Sequence, residues 1–343
     1  MITIGCDVHL KTSTMTVLGH DGVMIKRKRM MNNAKELLAF IDRFDGPKQL
    51  SMEATYNWPV FYDLFKDQVD QYHLIHPKRF KAITASQAKC DKNDADTLAH
   101  LTHLGYFPKA YTAEAPTRQF RRLLRTRVHL SRSIAAIKNR IHALLNANTF
   151  WSERPKNFKD LFCKRGLEYL KTLKLPESES FLMEQLLEHI QAIQGLRDKL
   201  DGYIEQINFQ SNQLQYLRTV PGMNGKLFKY IVLAEIDNIH RFKNARTLIA
   251  YAGLIPKEKS SESKIRKGRL RTDANPYLRW AMIEATLAGI LKDPGLKAYY
   301  KQMKQAHHTS AARIAVARRM LRSIYYVLKE QRPYFLETEK NRR

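Results

Sequence analysis

Three aspartates fall inside one short stretch, KCDKNDADTLAHL, Lys89 to Leu101, of a chain with 59 Lys+Arg against 33 Asp+Glu. Like charges at helical neighbour spacing repel one another unless something positive lies between them. Asp91 and Asp94, three apart, project on one side at the start of a helix, while Asp96 points away from both. Two further carboxylates stand out. Asp7 lies within the extended run MITIGCDVHL, between apolar or small neighbours, and Glu53 ends a second run, KQLSME. A strand aspartate in a core must be partnered, because burying a lone charge is costly. Four carboxylates, Asp7, Glu53, Asp91 and Asp94, would make a hard-cation site suited to Mg2+ or Mn2+. Two such ions about 4 Å apart would activate and stabilise oxygens around a phosphate. Acids at a helix start also simply stabilise its dipole. On the residues alone, metal binding and capping both stay open. Cys6 and His9 flank Asp7, but no second His/Cys pair completes a tetrahedral zinc set.

These acids need elements to position them. Residues 1–80 alternate strand hairpin, helix, strand, helix, strand. MITIGCDVHL and STMTVLGHDG are β-rich with a turn at His20-Asp21-Gly22, AKELLAFIDRF has helical spacing, and YHLIHP is a short strand closed by Pro77. That order predicts a mixed sheet with helices packed on it, and functional groups at the carboxyl ends of its strands. Residues 117–145 read as a helix with eight Arg/Lys and no acid: Arg118, Arg121, Arg122, Arg125, Arg127, Arg132, Lys138 and Arg140. A second helical stretch, 178–218, has the spacing of a hairpin or coiled-coil arm that could join subunits. TVPGMNG, residues 219–225, is either a helix–helix corner or a helix–hairpin–helix turn with phosphate-binding amides. A polar, basic loop follows TLIAYAGL, and from Tyr277 onward the chain is helical.

The formal net charge is +26 and the pI about 9.9. That much charge of one sign points to a polyanionic partner, nucleic acid before membrane, since no long uncharged apolar run occurs. The N-terminus has no basic run before an apolar segment and so predicts no signal peptide. Three scattered cysteines form no disulfide framework and suit a reducing cytoplasm.

IGCDVH, SMEAT and KCDKNDADTLAHL, in that order, resemble the insertion-sequence transposases of the DEDD type, the group related to the Piv DNA invertases and including bridge-RNA-guided recombinases. TVPGMNG, FKNARTLIAYAGLIP, KSSESKIRKGR and NPYLRWAMIEA resemble the same family's C-terminal region. The resemblance covers roughly residues 1–110 and 216–290; the middle helices match in type and place only. It implies an α/β plus α chain in three parts: a ribonuclease-H-like (RuvC-like) domain at 1–110 holding metal through Asp7, Glu53, Asp91 and Asp94; a basic helical and coiled-coil region at 111–215; and a mostly helical transposase domain at 216–343. It implies a serine nucleophile shortly after the AGLIP motif, Ser261, with Ser260 as the alternative beside it.

The chemistry expected is Mg2+-dependent (Mn2+ possible) cutting and rejoining of DNA through a phosphoserine link. Lys264, Arg266, Lys267 and Arg269 would hold the phosphate, and Arg118, Arg121, Arg122, Arg125, Arg127, Lys138 and Arg140 would track a backbone. Expected partners are target and donor double-stranded DNA, a structured non-coding guide RNA from the element itself, and a homodimer assembling to a homotetramer, with no membrane, in the bacterial cytoplasm at the nucleoid. The alternatives are a protein-only invertase and a RuvC-like junction nuclease using water. Three positions depart from the family pattern. Cys90 stands where Thr is commoner, Glu262 follows Ser261 where Gly is common, and TDANPYLR replaces a more basic run.

Overall fold

The computed structural model describes residues 1–84, 91–149, 160–225, 227–261, 264–271 and 273–335, with backbone alone at 82–84, 91–93, 211, 257–261 and 264–269. The chain separates into two compact units, Met1–Ala113 and Glu114–Arg343.

The first unit is a five-stranded sheet. Strands β1 (Ile2–Val8), β2 (Thr12–Leu18) and β3 (Met24–Met31) form an antiparallel meander; β4 (Lys48–Glu53) and β5 (Gln71–Ile75) add in parallel on the other side of β1. The order is β3-β2-β1-β4-β5. Helix α1 (Ala34–Ile41), capped by the Asn33 side chain, links β3 to β4; α2 (Trp58–Phe65) links β4 to β5. The strand alternation sorts the two faces. Ile4, Cys6, Val8, Met15, Val17, Leu50, Met52 and Leu74 join Phe40, Ile41, Phe61 and Phe65 in one core. The odd positions of β1, Thr3, Gly5 and Asp7, belong to the other face.

Helix α4 (Asp91–His103) packs on that second face, against β1, β2 and β4. It comes very close. A Cβ on Gly5 would overlap the Ala95 carbonyl oxygen and the Ala99 amide nitrogen. Buried Ser51, Gly5's partner on β4, is likewise small. Asp96 fixes the helix laterally: its Oδ1 accepts from Thr16 Oγ1 at 2.6 Å and from Arg27 Nε at 2.8 Å. Leu98, Ile75 and Phe80, the last on α3 (Pro77–Thr84), close a small second core.

Among its described residues the second unit is helical apart from one hairpin. Helix α5 (Ala115–Asn148) and α7 (Glu177–Gln206) lie along one another, with α6 (Lys164–Thr172) beside them. Ile134, Ile137, Ile141 and Leu145 of α5 pack with Met183, Leu187, Ile190 and Ile193 of α7. Helix α7, the larger part of the stretch expected to form an arm, pairs with α5 of the same chain, while α8 (Ser211–Arg218) belongs to a different core. The near end of α5, Phe120, Leu124 and Val128, shares a core with Ile204 and with α8, α9 (Phe228–Ile236), α10 (Ala245–Tyr251), α11 (Pro276–Lys292) and α13 (Thr309–Glu330). Helix α12 (Pro294–Ala306) leans on α11 and α13. Between α10 and α11 the chain runs out into β6 (Pro256–Ser261) and back along β7 (Lys264–Leu270), antiparallel.

Candidate active site

Asp7 and Glu53 follow the paired residues Cys6 and Met52, at the carboxyl ends of two adjacent parallel strands. A glycine at position 5 lets α4 settle on β1, and that contact brings the first turns of α4 to the same end of the sheet. Asp94 is there within electrostatic reach of Glu53. Burial is the main cause that pushes the Glu53 carboxyl above its ordinary value; Lys81 opposes it, and the charges of Asp94 and Asp7 push it further. Carboxylates from β1 and α4 thus act electrostatically on the Glu53 carboxyl of β4.

Asp7 Oδ2 lies 3.1 Å from His9 Nε2. Among the described residues no three His, Cys, Asp or Glu side chains already stand at ligand spacing around one point. The Asp91 side chain lies outside the described residues; its backbone opens α4. The donor set nonetheless fits a divalent ion. All its members are hard oxygens, and a divalent ion between them would relieve the smaller, charge-repulsion part of the upward push on Glu53. Asp96, engaged by Thr16 and Arg27, is a structural acid. Cys6 is fully buried on the opposite face of β1, its thiol pushed up first by burial and then by Asp7, so it is protonated and turned away from the acids.

In the second unit Ser261 is the last residue of β6, register partner of Lys264, and Ser260 is partner of Ile265; Lys264, Arg266, Lys267 and Arg269 all lie on β7. The side chains of all six lie outside the described residues.

The basic helix is more occupied than its sequence suggests. Arg125 makes a two-pronged pair with Glu235, 2.8 and 2.9 Å, and Arg121 Nε donates to the Ala234 carbonyl at 2.6 Å. Arg127 grips Asp201 of α7 at 2.6 and 2.9 Å. Arg118 is buried, and the Lys138 ammonium sits 4.4 Å from the Phe162 ring centre. Arg122 and Arg140 are the exposed members of the expected set. The TVPGMNG turn joins α8 to α9, with Gly222 at φ +87° packed against α11; a cavity of about 280 Å3 beside it is lined by Arg218 and Lys292 among others.

Glu235 escaped the sequence reading. It is 1% exposed and also accepts from Asn275 Nδ2 at 2.8 Å. The signal was present: it is the one acid in the apolar run KLFKYIVLAEI, and a buried acid needs partners for the reason Asp7 does.

A transposase family model of the DEDD, IS110 type matches residues 4–149, and the model of the transposase IS116/IS110/IS902 family matches residues 214–301. The chain is 24% identical over 296 residues to the transposase for insertion sequence element IS1111A of Coxiella burnetii, covering 82% of this chain and 78% of that protein. It is 20% identical over 265 residues to a probable family 20 transposase of Pseudomonas aeruginosa, covering 76% and 78%. Over 143 residues it is 29% identical to the pilin gene-inverting protein of Moraxella lacunata, covering 40% and 44%. Among the described residues no helix is long and apolar enough to cross a membrane. With its strand acids, its second-unit motifs and both family models in agreement, this chain belongs to the IS110-type DEDD transposases, enzymes that act on DNA and that the family ties to a divalent metal.

Proposed function

We propose that the protein cuts and rejoins DNA through a covalent phosphoserine link, in a ribonuclease-H-like first unit and a serine-bearing second one. What supports this is the parallel register that sets Asp7 and Glu53 at the carboxyl ends of adjacent β1 and β4, with Asp94 of α4 within electrostatic reach of Glu53. The strand order β3-β2-β1-β4-β5, with an antiparallel meander on one side and parallel strands on the other, supports the ribonuclease-H-like reading.

Asp7, Glu53, Asp91 and Asp94 would hold Mg2+, or Mn2+ in its place. When bound, the ion polarises the scissile phosphate and lowers the pKa of a nearby hydroxyl. Ser261 supplies the attacking oxygen: it gives up its hydroxyl proton as its Oγ–P bond forms, a backbone P–O bond breaks, and the released DNA oxygen takes up one proton to become a hydroxyl. The linkage conserves the phosphodiester, so the strand rejoins without ATP. Lys264, Arg266, Lys267 and Arg269 hold the phosphate against its developing charge. Arg122 and Arg140 contact a nucleic-acid backbone, while Arg121, Arg125 and Arg127 hold the scaffold that presents them. A structured RNA from the element guides the choice of target and donor duplexes, read by shape while base pairing reads sequence. Strand exchange between two duplexes calls for at least two active sites, met by a dimer assembling to a tetramer, in the bacterial cytoplasm at the nucleoid.

The test is to trap covalent protein–DNA adducts from wild type, Ser261→Ala, Ser260→Ala and Asp7→Ala. The adduct is expected to vanish in the first and third variants and persist in Ser260→Ala. Cleavage without any adduct would instead mean a junction nuclease using water. The likeness to a gene-inverting protein favours one second reading, a protein-only invertase. Recombination that proceeds without the element's RNA would establish it; loss that supplied RNA restores would exclude it.

A further inference from the structure

A two-stranded hairpin is marginal on its own, so where β6–β7 sits depends on its neck. The neck is built by residues that the sequence shows only as motif letters. The outgoing leg leaves α10 through Ala252 and Gly253; the returning leg comes back through Arg271 and Asp273 to Asn275. Arg279, one turn into α11, touches both. Its Nε donates to the Ala252 carbonyl at 3.2 Å and its Nη2 donates to the Arg271 carbonyl. Gly253 makes room for this. It sits at φ +66°, and a Cβ there would overlap the Arg279 guanidinium and lie 2.5 Å from Ala274 Cβ. Asn275 closes the neck a second time: its backbone N–H donates to Tyr251 O at 2.8 Å, and its Nδ2 donates to the Tyr251 hydroxyl at 3.0 Å and to Glu235 Oε2 at 2.8 Å. Its Oδ1 accepts from the Tyr277 and Leu278 amides, capping α11. Glu235 is anchored in turn by Arg125.

We propose that Arg279, seated over Gly253 and backed by the Asn275–Glu235–Arg125 chain, is a positioning residue that sets the spacing and direction of the two hairpin legs and so the place of the serine at their tip. This rests on the reading that a serine of this hairpin is the nucleophile. Arginine is required because its planar fork presents donors in two directions to two carbonyls; a lysine ammonium is a compact point charge that serves one of them well. The co-occurrence of AGL and NPYLR then has a cause: the glycine clears the space that the arginine fills.

The experiment uses the full chain with its duplex substrate and compares wild type, Arg279→Ala, Arg279→Lys, Ser261→Ala and Ser260→Ala. Three quantities are measured: amide hydrogen exchange, the single-turnover rate of adduct formation at saturating duplex, and the Kd for that duplex. In Arg279→Ala the β6–β7 amides are expected to exchange at least about tenfold faster while α11 and α13 keep their protection. Adduct formation falls roughly 100-fold, the scale of an ångström-size misplacement, with Kd unchanged within about twofold. Arg279→Lys falls between, and carries the test if the alanine variant does not fold. Hairpin exchange or an adduct rate equal to wild type in both Arg279 variants would overturn the proposal, as would a rate that falls only in step with duplex binding. An adduct that survives both serine variants removes the nucleophile reading instead, and the exchange data still decide whether Arg279 holds the neck.

Discussion

Gly5→Ala is the smallest change that separates α4 from the sheet. The added Cβ would overlap Ala95 O and Ala99 N and approach Ala99 Cα to 2.9 Å. Ordinary carbon–oxygen approach is about 3.3–3.6 Å, and carbon–carbon contact about 3.5–4.0 Å. All three atoms are backbone, so no rotamer relieves the overlap; α4 must withdraw by about 1 Å. Overfilling of this kind costs about 1–3 kcal/mol. Loss of a glycine from the unfolded chain returns about 0.4–1 kcal/mol, leaving the variant less stable by roughly 1–2 kcal/mol. The withdrawal also carries Asp94 away from Asp7 and Glu53, and a misplacement of about 1 Å at a reacting centre costs on the order of 100-fold in rate. Urea unfolding gives the first quantity, and adduct formation at saturating Mg2+ and DNA gives the second. Gly195→Ala in α7 is the matched control: nothing lies within 4 Å of its Cβ, and removing a mid-helix glycine is worth up to about 1 kcal/mol of added stability. If Gly5→Ala unfolds with wild type and forms adduct at the wild-type rate, the close approach of α4 does not place the acids, and the reasoning fails.

Glu235→Ala strands Arg125 and Asn275; it is expected to cost roughly 3 kcal/mol by thermal or urea unfolding, the low end for a broken buried pair because the Arg125 side chain is 41% exposed. Glu235→Gln, which keeps an acceptor for Asn275, should lose about half as much. Asp96→Ala frees α4 from β2 and β3 and should cost about 1–2 kcal/mol, with Asp96→Asn closer to wild type in the same unfolding assay. His73 is held below its ordinary value of 6.5, by burial first and by Lys109 second. The unfolded chain therefore takes up this proton before the folded one does. That contribution to stability is complete above pH 6.5 and is lost as pH falls below it. A series of urea midpoints should show the decline, and His73→Gln should flatten it.

What the sequence determined by itself was the local inventory. A charged residue inside an apolar strand, as at Asp7, declares a need for partners wherever the strand lies. The alternation of strand and helix over residues 1–80 follows from side-chain period alone, and the ordered acids and C-terminal motifs were enough to mark the family. The helix expected across 117–145 is found within α5, where the three–four apolar spacing puts Phe120, Leu124, Val128, Ile134, Ile137, Ile141 and Leu145 on a buried face.

Pairing between distant segments was decided only in the tertiary structure. The parallel adjacency of β1 and β4, which sets Asp7 beside Glu53, depends on a crossover through α1 and on sheet register, neither of which leaves a local mark. The arginines of α5 look equivalent in sequence, yet Arg125 finds Glu235 at a separation of 110 residues and Arg127 finds Asp201 at 74, while Arg122 stays exposed. Glycines 5 and 253 are silent letters until α4 and Arg279 arrive against them. The physical reason is the same in each case: side-chain type sets what a group requires, but which group meets the requirement depends on close packing among elements far apart along the chain.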